Sequence, residues 1–544
     1  MRYFYVSWRP TTASAAPAAY DLVVYGATAG GVTTAVSGAR SGLTVALLEP
    51  GAHVGGMASG GLQRTDVGRR EVIGGMALEL YVRAGLHYET MRMLHEVAWM
   101  MEAHVAERLF EDMLREAGVA VFKKHRLREK TGVKKEGARV AEIMMENGAQ
   151  FRAKVFADAS YEGDLMAQAG VSYTWGREGI DQFGESLAGV RTDTPLHQFV
   201  VKIPARVNGE LLPEISPRPM GKHGSADKAV QAYNYRMVLS SDPANQVPFP
   251  KPRQYDAKRY ELLARLIQAL EVRTKRPLVV NDFFGIGPIP NKKADFNNSG
   301  AFSTDYIGKS WDYPEASYKR RAEIWEEHKE YTKGLFWFLT HDPRVPEVLR
   351  KDVASWGLSK DEFVDNEHWP HQLYVREARR MIGEYVMSQK DIQTERTKPD
   401  AIGMGSYNSD SHNVQRVVLA DGSVFNEGDV QVAVQPYQIP YRMITPKRAE
   451  ATNLLVPVCF SATHVAYSTL RMEPQYMIIG QAAGVAAKMA IEGGVAVQAI
   501  DAAKLTATLV GQDAILEYKA DVQGRITGKL RSKLSPPRRR AQQF

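Results

Sequence analysis

The run Gly26-Ala27-Thr28-Ala29-Gly30-Gly31 consists almost wholly of small residues and has nearly the spacing of a phosphate-binding turn. A dinucleotide fingerprint has the form Gly-x-Gly-x-x-Gly. Here Gly26 and Gly31 fill the first and third glycine positions, and Thr28 takes the middle one. Gly26 permits the tight turn, and Gly31 lets a helix lie close to a strand. Backbone amides at the helix start, including those of Ala29 and Gly30, would point at a pyrophosphate, where the helix dipole favours negative charge. Thr28 narrows the approach but offers a hydroxyl to a phosphate. Glu49 follows Gly31 by 18 residues, ahead of Pro50. An acid there accepts hydrogen bonds from adenosine ribose hydroxyls and repels a 2′-phosphate, which disfavours NADP. A plain strand–turn–helix is the competing reading.

A second glycine loop, His53-Val54-Gly55-Gly56-Met57-Ala58-Ser59-Gly60-Gly61, comes directly after. An NAD domain has no need of it. A flavin does, because its pyrophosphate and ribityl chain run along a further stretch of backbone. This loop, with Gly55, Gly56 and Met57 at its centre, therefore points to FAD. His53 raises the question of a covalent flavin link, against simple backbone contact by its glycine neighbours. The single cysteine, Cys459, allows no internal disulfide, no zinc cluster and no dithiol chemistry. No metal site is expected.

These residues need elements to position them. Leu22-Val23-Val24-Tyr25 suits a buried parallel strand, residues 30–41 a helix, and Thr44 to Leu48 a second strand, making one βαβ unit. A helix is expected over 102–117, and strands over 119–122, 140–145 and 151–157. From about 175 to 400 the βαβ pattern stops, with helices over 254–271 and 316–339. Rossmann-like sequence returns near Asn453, and a long helix of small residues runs from Pro474 to about Ile491. The expected domains are a flexible leader 1–19, a cofactor domain in two parts (20–175 and 436–515), a substrate domain inserted at 176–435, and an extension with a basic tail at 516–544. A net charge of +7 is mild for 544 residues, and Arg538-Arg539-Arg540 is the one dense basic cluster, so nucleic acid is not an expected partner. No apolar run reaches membrane length. The expectation is a soluble protein, cytoplasmic or periplasmic.

The stretch from Tyr25 to Gly61 resembles the FAD-dependent oxidoreductase family whose members often carry the label xanthan lyase. Four further segments share the likeness: Asp158 to Met166, Tyr374 to Met381, Gln438 to Arg442, and Ser461 to His464 with Arg471 to Pro474. The resemblance implies an α/β fold with a Rossmann-like, glutathione-reductase-type FAD domain and an inserted α+β substrate domain. It also implies that Ser160, Met472 and Pro474 border FAD, and that the helix starting at Pro474 meets the pyrimidine end of the flavin. His464 is then the candidate general base, with Tyr467 and Arg471 beside it, although histidine bonded to backbone is the plainer reading. Tyr437, Tyr441 and Arg442 suit an oxygen-rich or anionic substrate, or ordinary strand packing. His412 with Asn408 and Asp410 reads as a pocket cluster or as a loop. The run Arg376, Glu377, Arg379, Arg380 reads as ion pairs or a solvated face, or as a seat for an acidic substrate. The expected function is hydride transfer to FAD from a small, hydroxylated or sugar-like substrate, with the electron acceptor left open. The rivals are an NAD-dependent dehydrogenase and a non-redox carbohydrate-binding or lyase protein with a vestigial dinucleotide fold.

Overall fold

A computed structural model describes residues 18–194, 196–519 and 521–535. Most of the expected leader and the arginine cluster at 538–540 lie outside the described residues. The first strand starts earlier than expected. β1 is Ala18–Tyr25, and Ala18 and Ala19 pair with Phe151 and Arg152, so the last two leader residues are part of the sheet.

β1 is buried on both faces from Leu22 onward, which explains an apolar run with no alternation. α1 (Ala29–Arg40) carries the chain to β2 (Val45–Glu49), parallel to β1 with Leu22 opposite Val45. α2 (Ala103–Ala117) ends on Gly118, whose φ of 73° forms a left-handed cap, and leads to β3 (Ala120–Lys123) beside β2. β4 (Val133–Glu136) and β5 (Arg139–Met144) form a hairpin that pairs antiparallel with β6 (Gln150–Asp158). The strand order is β3-β2-β1-β6-β5-β4, and the short strand Leu454–Leu455 also joins β6 in parallel. Chain connections leave β1 toward β2 on one side and return to β6 on the other. That reversal opens a crevice at the carboxyl ends of the strands.

Between β6 and residue 454 the chain builds a second, antiparallel sheet. Its strands are β7 (Met237–Ser240), β8 (Gln246–Val247), β9 (Phe284–Ile289), β10 (Lys293–Asn298) and β11 (Gly357–Ser359), in the order β8-β11-β7-β10-β9. α3 (Tyr318–His341) packs with this region and starts on a Ser317 cap. One hydrophobic core runs without a break from Leu22 and Val24 through Met237, Phe296 and Phe336 to Ala482. Among the described residues no helix is long and apolar enough to cross a membrane.

α4 (His464–Leu470) and α5 (Glu473–Gly493) close the cofactor half. α5 lies against α1 at backbone distance. A Cβ on Gly480 would sit 2.2 Å from the Gly30 oxygen, and one on Gly484 would sit 2.5 Å from the Thr34 oxygen. The Ser37 hydroxyl donates to the Gln481 carbonyl at 2.7 Å, which is possible only at this spacing. Both neighbouring atoms are helix backbone and cannot swing away. Gly484→Ala is therefore expected to cost about 1–3 kcal/mol by overpacking, seen as a lower denaturation midpoint with an unchanged slope.

Candidate functional site

The first turn is shaped by close approach. Gly26 has φ of +93°, and a Cβ there would lie 2.6 Å from Ser160 N. The loops after β1 and β6 thus touch. A Cβ on Gly31 would fall 1.9 Å from the Gly26 oxygen, so the strand-to-helix turn accepts only glycine at both ends. The Thr28 side chain does not face a phosphate as expected. Its hydroxyl donates to the Ala159 carbonyl at 2.8 Å and accepts from Gly31 N at 3.1 Å, which makes Thr28 the cap of α1. Threonine at the middle position ties two loops together.

Glu49 ends β2 with its carboxylate turned back over the turn. It accepts from Ala27 N at 2.8 Å and from Gly51 N at 2.6 Å. Burial nonetheless pushes its carboxyl up to about 7. The second glycine loop is bonded to the first turn, with Gly55 N donating to the Ala27 carbonyl at 2.7 Å. Gly55 and Gly56 have φ of 102° and 56°. The Tyr161 hydroxyl accepts from Met57 N at 2.9 Å and donates to Glu473 Oε1 at 2.7 Å. It joins the second loop to the start of α5. Burial raises Glu473 to about 8, so near neutral pH it holds its proton.

A cleft of about 730 Å³ opens along these loops, lined by Gly26, Thr28, Glu49, Gly56, Ser160 and Tyr161 among others. At the start of α5, Glu473 Oε2 and both amide atoms of Gln475 are buried without a partner. Buried polar groups are normally satisfied, so these atoms mark a place for a polar ligand. Glycine loops at backbone distance, a helix start and an acid beyond β2 suit a dinucleotide. Pro474 stands in the first turn of α5, and Met472 is the residue at its N-cap.

The candidates for proton and substrate handling are spread more widely. His464 opens α4, where Thr463 is the cap. Its Nδ1 lies 2.8 Å from Glu377 Oε2, and its backbone N–H donates to Glu178 at 2.8 Å. Burial, with Arg380 nearby, pushes it down to about 3, so the ring is neutral. The Tyr467 hydroxyl shares a hydrogen bond with that of Tyr476 at 2.8 Å inside the core. Arg471 donates to the Asp410 carbonyl and to the Tyr374 hydroxyl, both at 2.8 Å. Tyr437 bonds Thr469 at 2.8 Å and Tyr441 donates to the Val497 carbonyl at 2.6 Å, so both hydroxyls already have core partners. Arg442 stacks over Tyr385 and lines a different surface cleft with Lys390 and Thr394. Both tyrosines thus pack in the core, Tyr437 from the strand Tyr437–Pro440 and Tyr441 from the 3-10 turn that follows it.

Three other readings can be located in the structure. Of those given for the run Arg376 to Arg380, ion pairing is the arrangement found: Arg376 pairs with Asp305 at 3.0 Å, Arg379 with Asp164 at 2.7 Å, and Arg380 with Glu377 and Glu178, all largely buried. His412 follows the strand Ser409–Ser411 and is buried, with Nδ1 2.6 Å from Asp305 Oδ2. His53 turns Nδ1 to Glu107 at 3.2 Å and Nε2 to Asp365 at 3.1 Å, so both ring nitrogens face carboxylates. Tyr161–Glu473 and Asp305–His412 went unread in the sequence because their members stand 312 and 107 residues apart.

A family model described as FAD dependent oxidoreductase matches residues 21–509. The chain belongs to that family. FAD is its cofactor, and the protein is an FAD-dependent oxidoreductase. Among solved structures it is similar to thioredoxin reductase of T. acidophilum, with 20% identity over 26% of this chain and 34% of that one and a TM-score of 0.17. It is also similar to L-proline dehydrogenase of P. horikoshii, with 16% identity over 30% and 59% of the two chains and a TM-score of 0.23. A third is the myxobacterial chondrochloren halogenase CndH, with 21% identity over 30% and 41% and a TM-score of 0.23. The chain thus spans from 34% to 59% of the length of these three structures. No curated protein matches it.

The Glu49 carboxyl gives this FAD-dependent oxidoreductase a pH signature. Its value of about 7 lies above the ordinary 4.5, so the folded protein without FAD holds the proton more tightly than the unfolded chain. The stability this adds is full below the ordinary value and is lost as pH rises through about 7. With Glu49 as the ribose acceptor that the sequence reading expects, the carboxylate is the stronger-binding form. FAD affinity should therefore rise between about pH 6 and about pH 7.5, by at most about tenfold per unit. Titration of the apoprotein with FAD by calorimetry checks this, and Glu49→Gln is expected to flatten the dependence.

Proposed function

We propose that the enzyme oxidises a small hydroxylated organic compound, sugar-like in its density of hydroxyls, by hydride transfer to FAD. In this reading Gly26 to Gly31 and the α1 amides hold the pyrophosphate, Glu49 and Pro50 the ribose, and Gly55 to Met57 and Ser160 the ribityl side. Met472, Glu473 and Pro474 border the pyrimidine end. Residues 20–175 and 436–515 form the FAD domain, 176–435 the covering substrate domain, and 516–544 an extension. FAD, when bound, supplies the two-electron acceptor.

The protein must then take the hydroxyl proton as the substrate C–H bond breaks. His464 is our candidate, and the observation that carries it is the Nδ1 contact with Glu377 at 2.8 Å. Glu377 pairs with Arg380 through Oε1 and accepts from Gln231 Nε2 at Oε2, at 2.8 Å. With Nδ1–H donating to that carboxylate, Nε2 keeps its lone pair and faces no protein partner among the described residues. The low imidazole value keeps this acceptor unprotonated near neutral pH but makes it a weak base in the protein without FAD. Arg471 acts through others, holding the Asp410 carbonyl and Tyr374 next to the start of α5.

A second reading rests on His412. Asp305 fixes its Nδ1 at 2.6 Å, and its side chain is 8% exposed against 4% for His464. Although burial opposes it, Arg376 and His412 hold Asp305 down at about 2, while burial pushes His412 to about 4. Gln231 bridges the two histidine–acid pairs, accepting from His412 N at 3.1 Å.

The first test is the visible spectrum of the purified protein, expected to show flavin bands that heat releases as free FAD. A panel of alcohols, polyols and sugars is then screened for anaerobic bleaching of those bands. With a substrate in hand, His464→Asn should slow bleaching by about 10²–10⁴-fold and leave the oxidised spectrum unchanged. Loss of bleaching in His412→Asn alone would move the role to His412, and no flavin after reconstitution would sink the reading.

A further inference from the structure

The outer wall of the nucleotide cleft is not made by the Rossmann loops. α3 contributes Trp325 and Lys329, and the segment 363–372 contributes Trp369 and His371. Trp369 is 1% exposed, yet its Nε1–H meets no acceptor. Both ring nitrogens of His371 are likewise buried and unpartnered. A buried indole N–H normally finds a partner, and these two side chains line the same cavity.

The segment is also held in an unusual shape. Phe363, Glu367 and His368 adopt φ of 49°, 57° and 61°, the left-handed region that non-glycine residues avoid. Such conformations persist where surrounding structure imposes them. The surrounding structure here includes the second glycine loop. The His53 ring stacks on His371 with centroids 3.8 Å apart and planes 13° from parallel, and His53 Nε2 lies 3.1 Å from Asp365. Glu107 holds the other nitrogen of His53 from α2, so the ring cannot turn freely.

We propose that the segment 363–372 of the inserted region is a clamp on FAD. Trp369 Nε1–H and a ring nitrogen of His371 hydrogen-bond to polar atoms of the cofactor, and the His53–Asp365 contact latches the segment to the glycine loop. FAD would offer acceptors to such donors: phosphate, ribose and ribityl oxygens, and ring nitrogens. The inference rests on FAD occupying the cleft. It adds that the substrate-side region holds the cofactor in place, so that cofactor release requires this segment to lift.

The experiment measures FAD release from the full-length holoenzyme. Free FAD is removed, the protein is diluted, and the visible absorbance of the filtrate is followed with time. Trp369→Phe keeps the ring and removes only the N–H, and about tenfold faster release is expected, the value of one hydrogen bond. Asp365 is 63% exposed at its side chain, so Asp365→Asn tests the latch without disturbing the core, and severalfold faster release is expected. His371→Asn, which can still donate and accept, should release FAD more slowly than His371→Leu. Wild-type release rates in both Trp369→Phe and Asp365→Asn would overturn the clamp while leaving the flavin reading intact. A wild-type protein that retains no FAD would instead overturn the flavin reading and the clamp with it.

Discussion

Two helix N-termini that touch dominate the site. A Cβ on Gly30, in the first turn of α1, would lie 2.9 Å from the carbonyl oxygen of Tyr476, in the first turn of α5. Each helix start carries a partial positive charge of roughly half a unit. Bringing two together is unfavourable unless an anion shares the space. The one acid in the first turn of α5, Glu473, is kept protonated by burial, which outweighs the opposing hydrogen bond donated by Tyr161. The protein therefore supplies the geometry and the positive field, and neither first turn carries an acid that is ionised near neutral pH. That is the condition a diphosphate and an electron-accepting ring both need, and the small residues of both helices exist to create it.

The second region answers with a different logic. Arg236 grips both oxygens of Asp295 at 2.8 Å, and Asp295 also accepts from Gln63 N and Arg64 N, just beyond the second glycine loop. Lys293 sits among Glu102, Asp361 and Glu362 at 2.6–2.8 Å, which fills with an ammonium what would otherwise be a cluster of acids. Buried pairs of this kind add little net stability, because desolvation offsets much of their attraction. They do restrict which arrangement can form, since removing one partner strands the other. Here they join the antiparallel sheet to the cofactor loops at one register, so the wall of the cleft and its floor are set together.

Much of the cofactor half was legible in the residues because its signals are local. The apolar run at Leu22, the glycine turn and the acid at Glu49 all lie within one element of their partners, and the helix after Pro474 carries its small-residue pattern within itself although it packs on the distant α1. Helix α3, expected over 316–339, runs from Tyr318 to His341. What stayed hidden depends on contacts across the fold. Thr28 offered a hydroxyl, and only the Ala159 carbonyl beyond β6 decides where it points. Tyr441 and Arg442 carry the side chains of a substrate site, but residue type cannot tell a hydroxyl facing Val497 from one facing a pocket. Residues 369 and 371 fall in a stretch with no periodicity, and their place on the cleft follows from how the inserted region folds back.

The same separation bears on how electrons leave. Cys459 is the chain's single cysteine, buried against the Ser160 carbonyl at 3.3 Å, with burial pushing its thiol up. A thiol that stays protonated is a poor nucleophile, and one sulfur cannot cycle between dithiol and disulfide. No relay inside the chain can therefore move reducing equivalents from the flavin to a distant surface by sulfur chemistry.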